Sequence, residues 1–175
     1  MHCQDNNDPF IDDCGCGGRN DKCCNNDPCL RPCFRRTESA TELHGIQVNL
    51  TGGGGSAIVN GANVIFNNIV TDATRTITYN TANGEFVLRK QGAYLINWWI
   101  ATDNAPDDGI SFAIRHSNGT DITASTPIDK GQLNGIALVT VKNSPSLVRL
   151  VNVTGANVTL ANTPVQASIT VTYAV

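Results

Sequence analysis

All seven cysteines of this 175-residue chain, Cys3, Cys14, Cys16, Cys23, Cys24, Cys29 and Cys33, fall within its first 33 residues. Whatever they staple or cross-link is therefore an N-terminal arm, and the remainder must hold itself together by packing. From Cys3 to Cys33 the residues are mostly Asn, Asp, Gly, Pro and Cys, and Phe10, Ile11, Leu30 and the adjoining Phe34 are the only large apolar side chains. Such a segment is turn-rich and has too few aliphatics for a core of its own. An odd cysteine count leaves at least one thiol free or bonded to another chain. Adjacent Cys23 and Cys24 cannot easily bond each other, so they reach different partners. Zinc knuckles use Cys-x-x-Cys pairs, whereas the spacings here are one residue, none and three, a poor match to a tetrahedral site. Disulfides within or between chains fit better than a metal cluster or idle thiols.

The arm, residues 1–36, is followed by a linker, residues 37–55. Within it Ile46, Val48 and Leu50 alternate with Gln47 and Asn49 as in a strand with one buried face. Gly52, Gly53, Gly54 and Gly55 come next, a run too permissive for a regular element and read as a hinge. An exposed strand before a hinge suits β-addition to the sheet edge of a neighbouring subunit.

Residues 56–175 form the head, where short β-rich segments end in Asn, Gly, Asp or Pro and no amphipathic helical stretch occurs. Ten strands are expected, near Ala57–Val59, Val64–Val70, Arg75–Tyr79, Glu85–Arg89, Ala93–Ala101, Ile110–His116, Gln132–Lys142, Leu147–Val153, Asn157–Leu160 and Ala167–Tyr173. Asn83-Gly84, Ser117-Asn118-Gly119 and Thr154-Gly155 carry turn chemistry, while Asn134-Gly135 is a turn or a bulge in a longer strand. Ile169, Val171 and Tyr173 alternate with Thr170, Thr172 and Ala174, so one face enters a core and the other is mild enough to meet a subunit. So many short strands imply an all-β jelly-roll sandwich.

Twelve basic against 15 acidic side chains, a formal charge of -3, provide no basic stripe for nucleic acid or anionic lipid. No apolar run reaches the roughly 18 residues of a membrane span, and Met1 to Asp13 is polar and acidic where a secretory signal would be basic and then apolar. Only 15% of the chain is charged, a balance that favours neutral surfaces able to pack against copies of themselves.

The segment Phe86, Gly92, Ala93, Tyr94 resembles the signature of complement globular heads and tumour-necrosis-factor-like ligands, in which an aromatic precedes a Gly-x-Tyr strand. Tyr79, Phe66 and Asp72 are similar to its earlier part, with two extra residues between Asp72 and Tyr79. The chain looks closer still to the C-terminal heads of collagen-like glycoproteins on the exosporium of endospore-forming bacteria. It shares with them the Phe-Val then Gly-x-Tyr segment, Ser144 to Val148, Val153 to Gly155 and the final alternating strand. The likeness covers roughly Val64 to Val175 and implies a tight trimer with apolar strand faces about its axis. No Gly-X-Y repeat is present. Arm, strand and glycine run together resemble the organisation of endospore appendage subunits, whose N-terminal connectors join successive subunits. Assembly at a spore surface would also reconcile cysteine density with the lack of a secretory signal.

Catalysis finds little footing. His2, His44 and His116 are scattered, and neither a nucleophile elbow, a phosphate loop nor a zinc-helix motif occurs. Asp103, Asp107 and Asp108, with Asn104, could supply part of a calcium site, but Asp-rich loops are ordinarily solvated turns and no cofactor is expected. Adjacent Trp98 and Trp99 must face opposite sides of a strand, one into the core and the other towards a loop, a subunit or a sugar. Asn49, Asn118, Asn152 and Asn157 begin Asn-x-Thr sequons and are expected to be unglycosylated.

The sequence thus points to a structural, non-enzymatic subunit of an extracellular spore-surface fibre. Its head would trimerise, its connector would be locked by disulfides, and its partners would be itself and, at base or tip, other spore-surface proteins. The alternative is a trimeric adhesive or ligand-binding head displayed on the exosporium.

Overall fold

The structure, a computed structural model, describes residues 44–52, 55–104, 109–117, 121–128 and 130–174. The cysteine arm lies outside the described residues, as do Gly53, Gly54, Asp107 and Asp108. Twelve strands and no helix are found among the described residues: β1 (His44–Thr51), β2 (Ala57–Ile58), β3 (Asn68–Asp72), β4 (Ile77–Asn80), β5 (Glu85–Leu88), β6 (Gly92–Asn104), β7 (Ile110–His116), β8 (Ile122–Thr126), β9 (Gly131–Val141), β10 (Ser146–Asn152), β11 (Val158–Leu160) and β12 (Val165–Ala174). All pairings are antiparallel.

Seven strands form one sheet, ordered β2-β11-β6-β12-β1-β3 with β9 also paired to β6; the other five are ordered β4-β5-β10-β7-β8. The sheets enclose a single apolar cluster, in which Phe66, Phe86, Tyr94 and Phe112 are the largest fully buried side chains. Alternation explains the layering. Tyr94, Ile96, Trp98 and Ile100 point inward from β6, and Leu133, Ala137, Val139 and Val141 do so from β9. The all-β jelly-roll reading agrees with this architecture.

Several boundaries differ from expectation. Ile46–Leu50 is not outside the head: β1 lies within the seven-stranded sheet, paired to β12 from His44↔Tyr173 to Thr51↔Val165 and to β3 on its other side. Ile46 and Val48 are buried in the core, each removing apolar surface worth roughly 1.5–3 kcal/mol. The physical reason is that an alternating strand of the same chain fills the slot between β12 and β3 at no translational cost. Both β1 and β2 run parallel to β6, β1 beside β12 and β2 beside β11. β1 ends at Thr51 opposite Val165 of β12, and β2 begins at Ala57 opposite Thr159 of β11.

The strand expected at Val64–Val70 begins at Asn68 instead. Val64 and Phe66 are buried, but their backbones are held singly, Val64 N–H by the Leu150 carbonyl at 2.8 Å and Phe66 N–H by the Tyr79 hydroxyl at 2.7 Å. The expected count of ten head strands omitted β8. Its sequence, Ile122-Thr-Ala-Ser-Thr126, offers one large apolar residue, and an edge strand with little buried surface leaves no alternation to detect. Asn134-Gly135 proves to be neither turn nor bulge but the unbroken middle of β9, opposite Trp99 and Trp98.

Candidate interaction surface

The family-type residues occupy the heart of the fold. Phe86 is fully buried, and the Tyr79 ring packs against it at 4.5 Å between centroids. Tyr79 also clasps the chain at Phe66, its hydroxyl accepting from the backbone N–H at 2.7 Å and donating to the carbonyl at 3.1 Å. Burial pushes the Tyr79 phenol up to about 12, with the Phe66 hydrogen bond acting in the opposite direction. Tyr94 makes a similar closure on the turn before its own strand, accepting from Lys90 N–H at 3.2 Å and donating to Lys90 C=O at 2.9 Å. Its pKa is likewise raised by burial. Gly92 has φ +138°, and a Cβ there would lie 2.7 Å from the Tyr173 ring. A glycine two residues before the tyrosine is thus required both by backbone geometry and by the ring above it.

The two outer faces differ in charge. On the five-stranded sheet, Arg115 forks onto Asp121, with Nε–Oδ1 at 2.9 Å and the second nitrogen to Oδ2 at 2.6 Å, and cross-strand Arg149 lies 3.4 Å from Glu85. The Arg115 hydrogen bond holds the Asp121 carboxyl below its ordinary value. On the seven-stranded sheet the outward positions between Leu95 and Ala101 of β6, and facing them on β9, β12 and β1, are Leu, Ile, Trp, Thr, Ser, Asn, Gln and Gly, with no ionisable side chain.

An apolar patch interrupts that neutral face, and a second lies at the opposite margin of the sheet. At the β9 margin Ile136 is 65% and Leu138 67% exposed, beside exposed Leu95. At the opposite margin, the edge strand β3 exposes Ile69, whose register partner Val48 points inward, and Val70 at a register shift. Between them is a shallow concavity of about 470 Å³ lined by Gln47, Asn97, Trp99, Asn134, Ile136, Ser168 and Thr170. Trp98 enters the core, while Trp99 is half-buried on this outer face. A continuous apolar run such as Ile136-Ala-Leu-Val139 hides its exposed members, because only strict alternation along the strand separates Ile136 and Leu138 from the inward Ala137 and Val139.

His116 Nε2 lies 2.6 Å from Ser146 Oγ, but Ser146 is only 1% exposed, so a substrate has no approach to it. Asp103 is paired with Lys130 at 2.6 Å. Among the described residues no cluster of three or more metal-ligating side chains occurs. Asn152 is fully buried, its amide donating to Ile58 C=O at 2.8 Å and Ala156 C=O at 2.9 Å, which leaves that sequon no free nitrogen. Gly52 closes β1 near Gln166.

The fold so described is the jelly roll of tumour-necrosis-factor-like ligands and complement globular heads. The chain is similar to Eiger TNF of S. frugiperda (14% identity, 77% of this chain and 94% of that one, TM-score 0.61). It is similar as well to the globular domain of zebrafish complement 1qA (14%, 75% and 95%, 0.56) and to murine APRIL (8%, 75% and 99%, 0.58). At these identities the likeness establishes fold. No family model matches the chain, and no curated protein matches it in sequence.

Proposed function

We propose that the chain is a non-enzymatic, self-assembling structural subunit whose heads associate into a closed ring, a trimer, and whose N-terminal cysteines cross-link successive units into a fibre on a bacterial endospore surface. The observation that carries this reading is that the two margins of one sheet expose unlike apolar residues, Ile136 and Leu138 on β9 and Ile69 and Val70 on β3. A two-fold dimer buries the same patch twice, whereas two different patches on opposite sides suit a heterologous contact that closes into a ring. Exposed Ile136 and Leu138 on one copy would meet Ile69 and Val70 on the next. The odd number of cysteines supports covalent links between chains. The spore-surface setting rests on the exosporium-type and appendage-type resemblance of the sequence.

The test uses the full chain, with and without reductant, by light scattering and negative-stain microscopy. Leu138→Asp should yield monomers, and reductant should shorten fibres without dissolving rings. A Leu138→Asp protein that assembles like the wild type would refute the sheet contact. Fibres indifferent both to reductant and to deletion of residues 1–36 would refute the cysteine connector. A second reading, an adhesive or ligand-binding head, is favoured by one specific feature, the concavity at Trp99.

A further inference from the structure

We infer that the concavity around Trp99 is a binding site for neutral carbohydrate; the inference deepens the ligand-binding reading and does not depend on fibre formation. Its ingredients come from four adjacent strands. Trp99 on β6 faces Asn134 on β9 and Ser168 on β12, and one register step along, Asn97 faces Ile136 and Thr170, with Gln47 of β1 opposite Thr170. A half-exposed indole is thereby ringed by three carboxamides and two hydroxyls, without a charged group among the lining residues.

The hydrogen-bonding capacity there is largely unspent. Among the described residues, the Trp99 indole N–H, the Asn97 carboxamide and the Thr170 hydroxyl make no hydrogen bond within the protein, and all three belong to the concavity. Gln47 Nε2 reaches Ser168 Oγ only at 3.5 Å, the outer limit of a bond, and Asn134 Oδ1 accepts from Gln132 at 2.9 Å with its own amide left over. In the same row, beyond Ser168, Asn49 carries a buried Oδ1 with no partner. A buried polar atom such as Asn49 Oδ1 normally finds a partner, and the exposed carboxamides of Asn97 and Asn134 are open to a ligand rich in neutral donors and acceptors.

A pyranose has that chemistry. Its C–H face lies on an aromatic ring through dispersion and weak C–H contacts, while its equatorial hydroxyls both donate to and accept from carboxamides. The volume lies within the roughly 300–1,000 Å³ of small-ligand sites, and its openness to solvent along the sheet suits a chain of sugars better than a single enclosed one. The absence of cations among the lining residues argues against sulfated or uronic-acid polymers, which need basic partners.

Full-length wild-type protein is titrated by calorimetry with neutral hexasaccharides of α-1,4-glucose, β-1,4-glucose and β-1,4-N-acetylglucosamine, and with heparin as the anionic control. The oxidation of indole by N-bromosuccinimide is followed in parallel. At least one neutral hexasaccharide should bind in the millimolar range, heparin no better, and Trp99→Ala should weaken binding at least ~10-fold, by analogy with base–aromatic stacking. Asn97→Ala should weaken it less. Both positions face outward, so circular dichroism should be unchanged. The bound saccharide should slow Trp99 oxidation. No binding by the wild type, or equal binding by Trp99→Ala, overturns the inference; so does Trp99 shielded from oxidation by assembly and never by saccharide, which would make a second copy the occupant. Light scattering on the same samples reads self-association separately, so that either idea can fail alone.

Discussion

Replacing Gly135 by alanine is the most informative single perturbation of the head. Gly135 stands opposite Trp98 in the β6–β9 ladder. A Cβ built on Gly135 would lie 2.2 Å from Trp98 Cζ2, 2.3 Å from Cε2 and 2.6 Å from Nε1, more than 1 Å inside van der Waals contact. The indole is only 4% exposed and packs towards Phe112, with ring centroids 6.3 Å apart, so it cannot swing away freely. Two effects compete. Alanine in a strand restricts the unfolded chain and gains about 0.5–1 kcal/mol over glycine, whereas overpacking a filled core costs about 1–3 kcal/mol. The overlap involves rigid ring atoms, so overpacking prevails and the net loss is about 1–2 kcal/mol. Urea unfolding of the full chain under reductant, at fixed protomer concentration, measures it. The decisive comparison is the same substitution in a Trp98→Leu background, where the ring is gone and Gly135→Ala should become neutral or stabilising. Equal costs in both backgrounds would refute the claim that the indole occupies the space a side chain would need.

Three further outcomes follow from the same geometry. Tyr94→Phe removes the hydroxyl that satisfies both backbone groups of Lys90 and should cost about 1–3 kcal/mol with an unchanged urea m-value; a cost below about 0.3 kcal/mol would show that water replaces it freely. The phenols of Tyr79 and Tyr94 are raised in the folded state, so folding disfavours their ionisation. Stability should therefore be intact below the unfolded tyrosine value of about 10 and should fall as pH rises through it towards the folded Tyr79 value of about 12. Ultraviolet phenolate titration of wild type against Tyr79→Phe checks this, and a high-pH step unchanged by the substitution would contradict it. Finally, ring assembly should survive about 1 M salt, where the screening length is only about 3 Å; dissociation there, read by light scattering, would mean that ion pairs rather than apolar patches hold the copies together.

Much of the architecture is legible in the sequence because a strand with one buried face writes itself as alternation. Ile169, Val171 and Tyr173 do so, as do Phe86 and Leu88, and the Gly-x-Tyr spacing stands where Gly92 must clear the Tyr173 ring. What escapes is information held between distant segments. Nothing local tells Ile46–Leu50 that its partners are Ala167–Val171 of the same chain rather than of another, so a strand in a linker and a strand in a sheet read alike. Val64 and Phe66 have strand composition, yet the chain there meets β10 only at an isolated bridge, Asn63↔Val151, and is held at Phe66 by a tyrosine hydroxyl. The candidate surface is hidden for a related reason. Asn97, Ser168 and Gln47 are unremarkable polar positions until the order β6-β12-β1 places them side by side.

The distribution of charge joins arm and head in one argument. Residues 1–43 contain eight acidic side chains (Asp5, Asp8, Asp12, Asp13, Asp21, Asp27, Glu38 and Glu42) against five basic ones (Arg19, Lys22, Arg31, Arg35 and Arg36), which accounts for the whole formal charge of -3. The remaining seven of each sign cancel. A neutral head can crowd against its copies without accumulating repulsion, and on the neutral sheet face the exposed apolar side chains are left to set the contact. The arm, by contrast, keeps the solubilising charge and every thiol. In the proposed assembly, contact and cross-link would therefore be chemically separable: one would respond to burial of Leu138 and Ile136, the other to redox potential. Such an assembly should open to its rings under a reductant while the heads themselves, which contain no cysteine, remain folded.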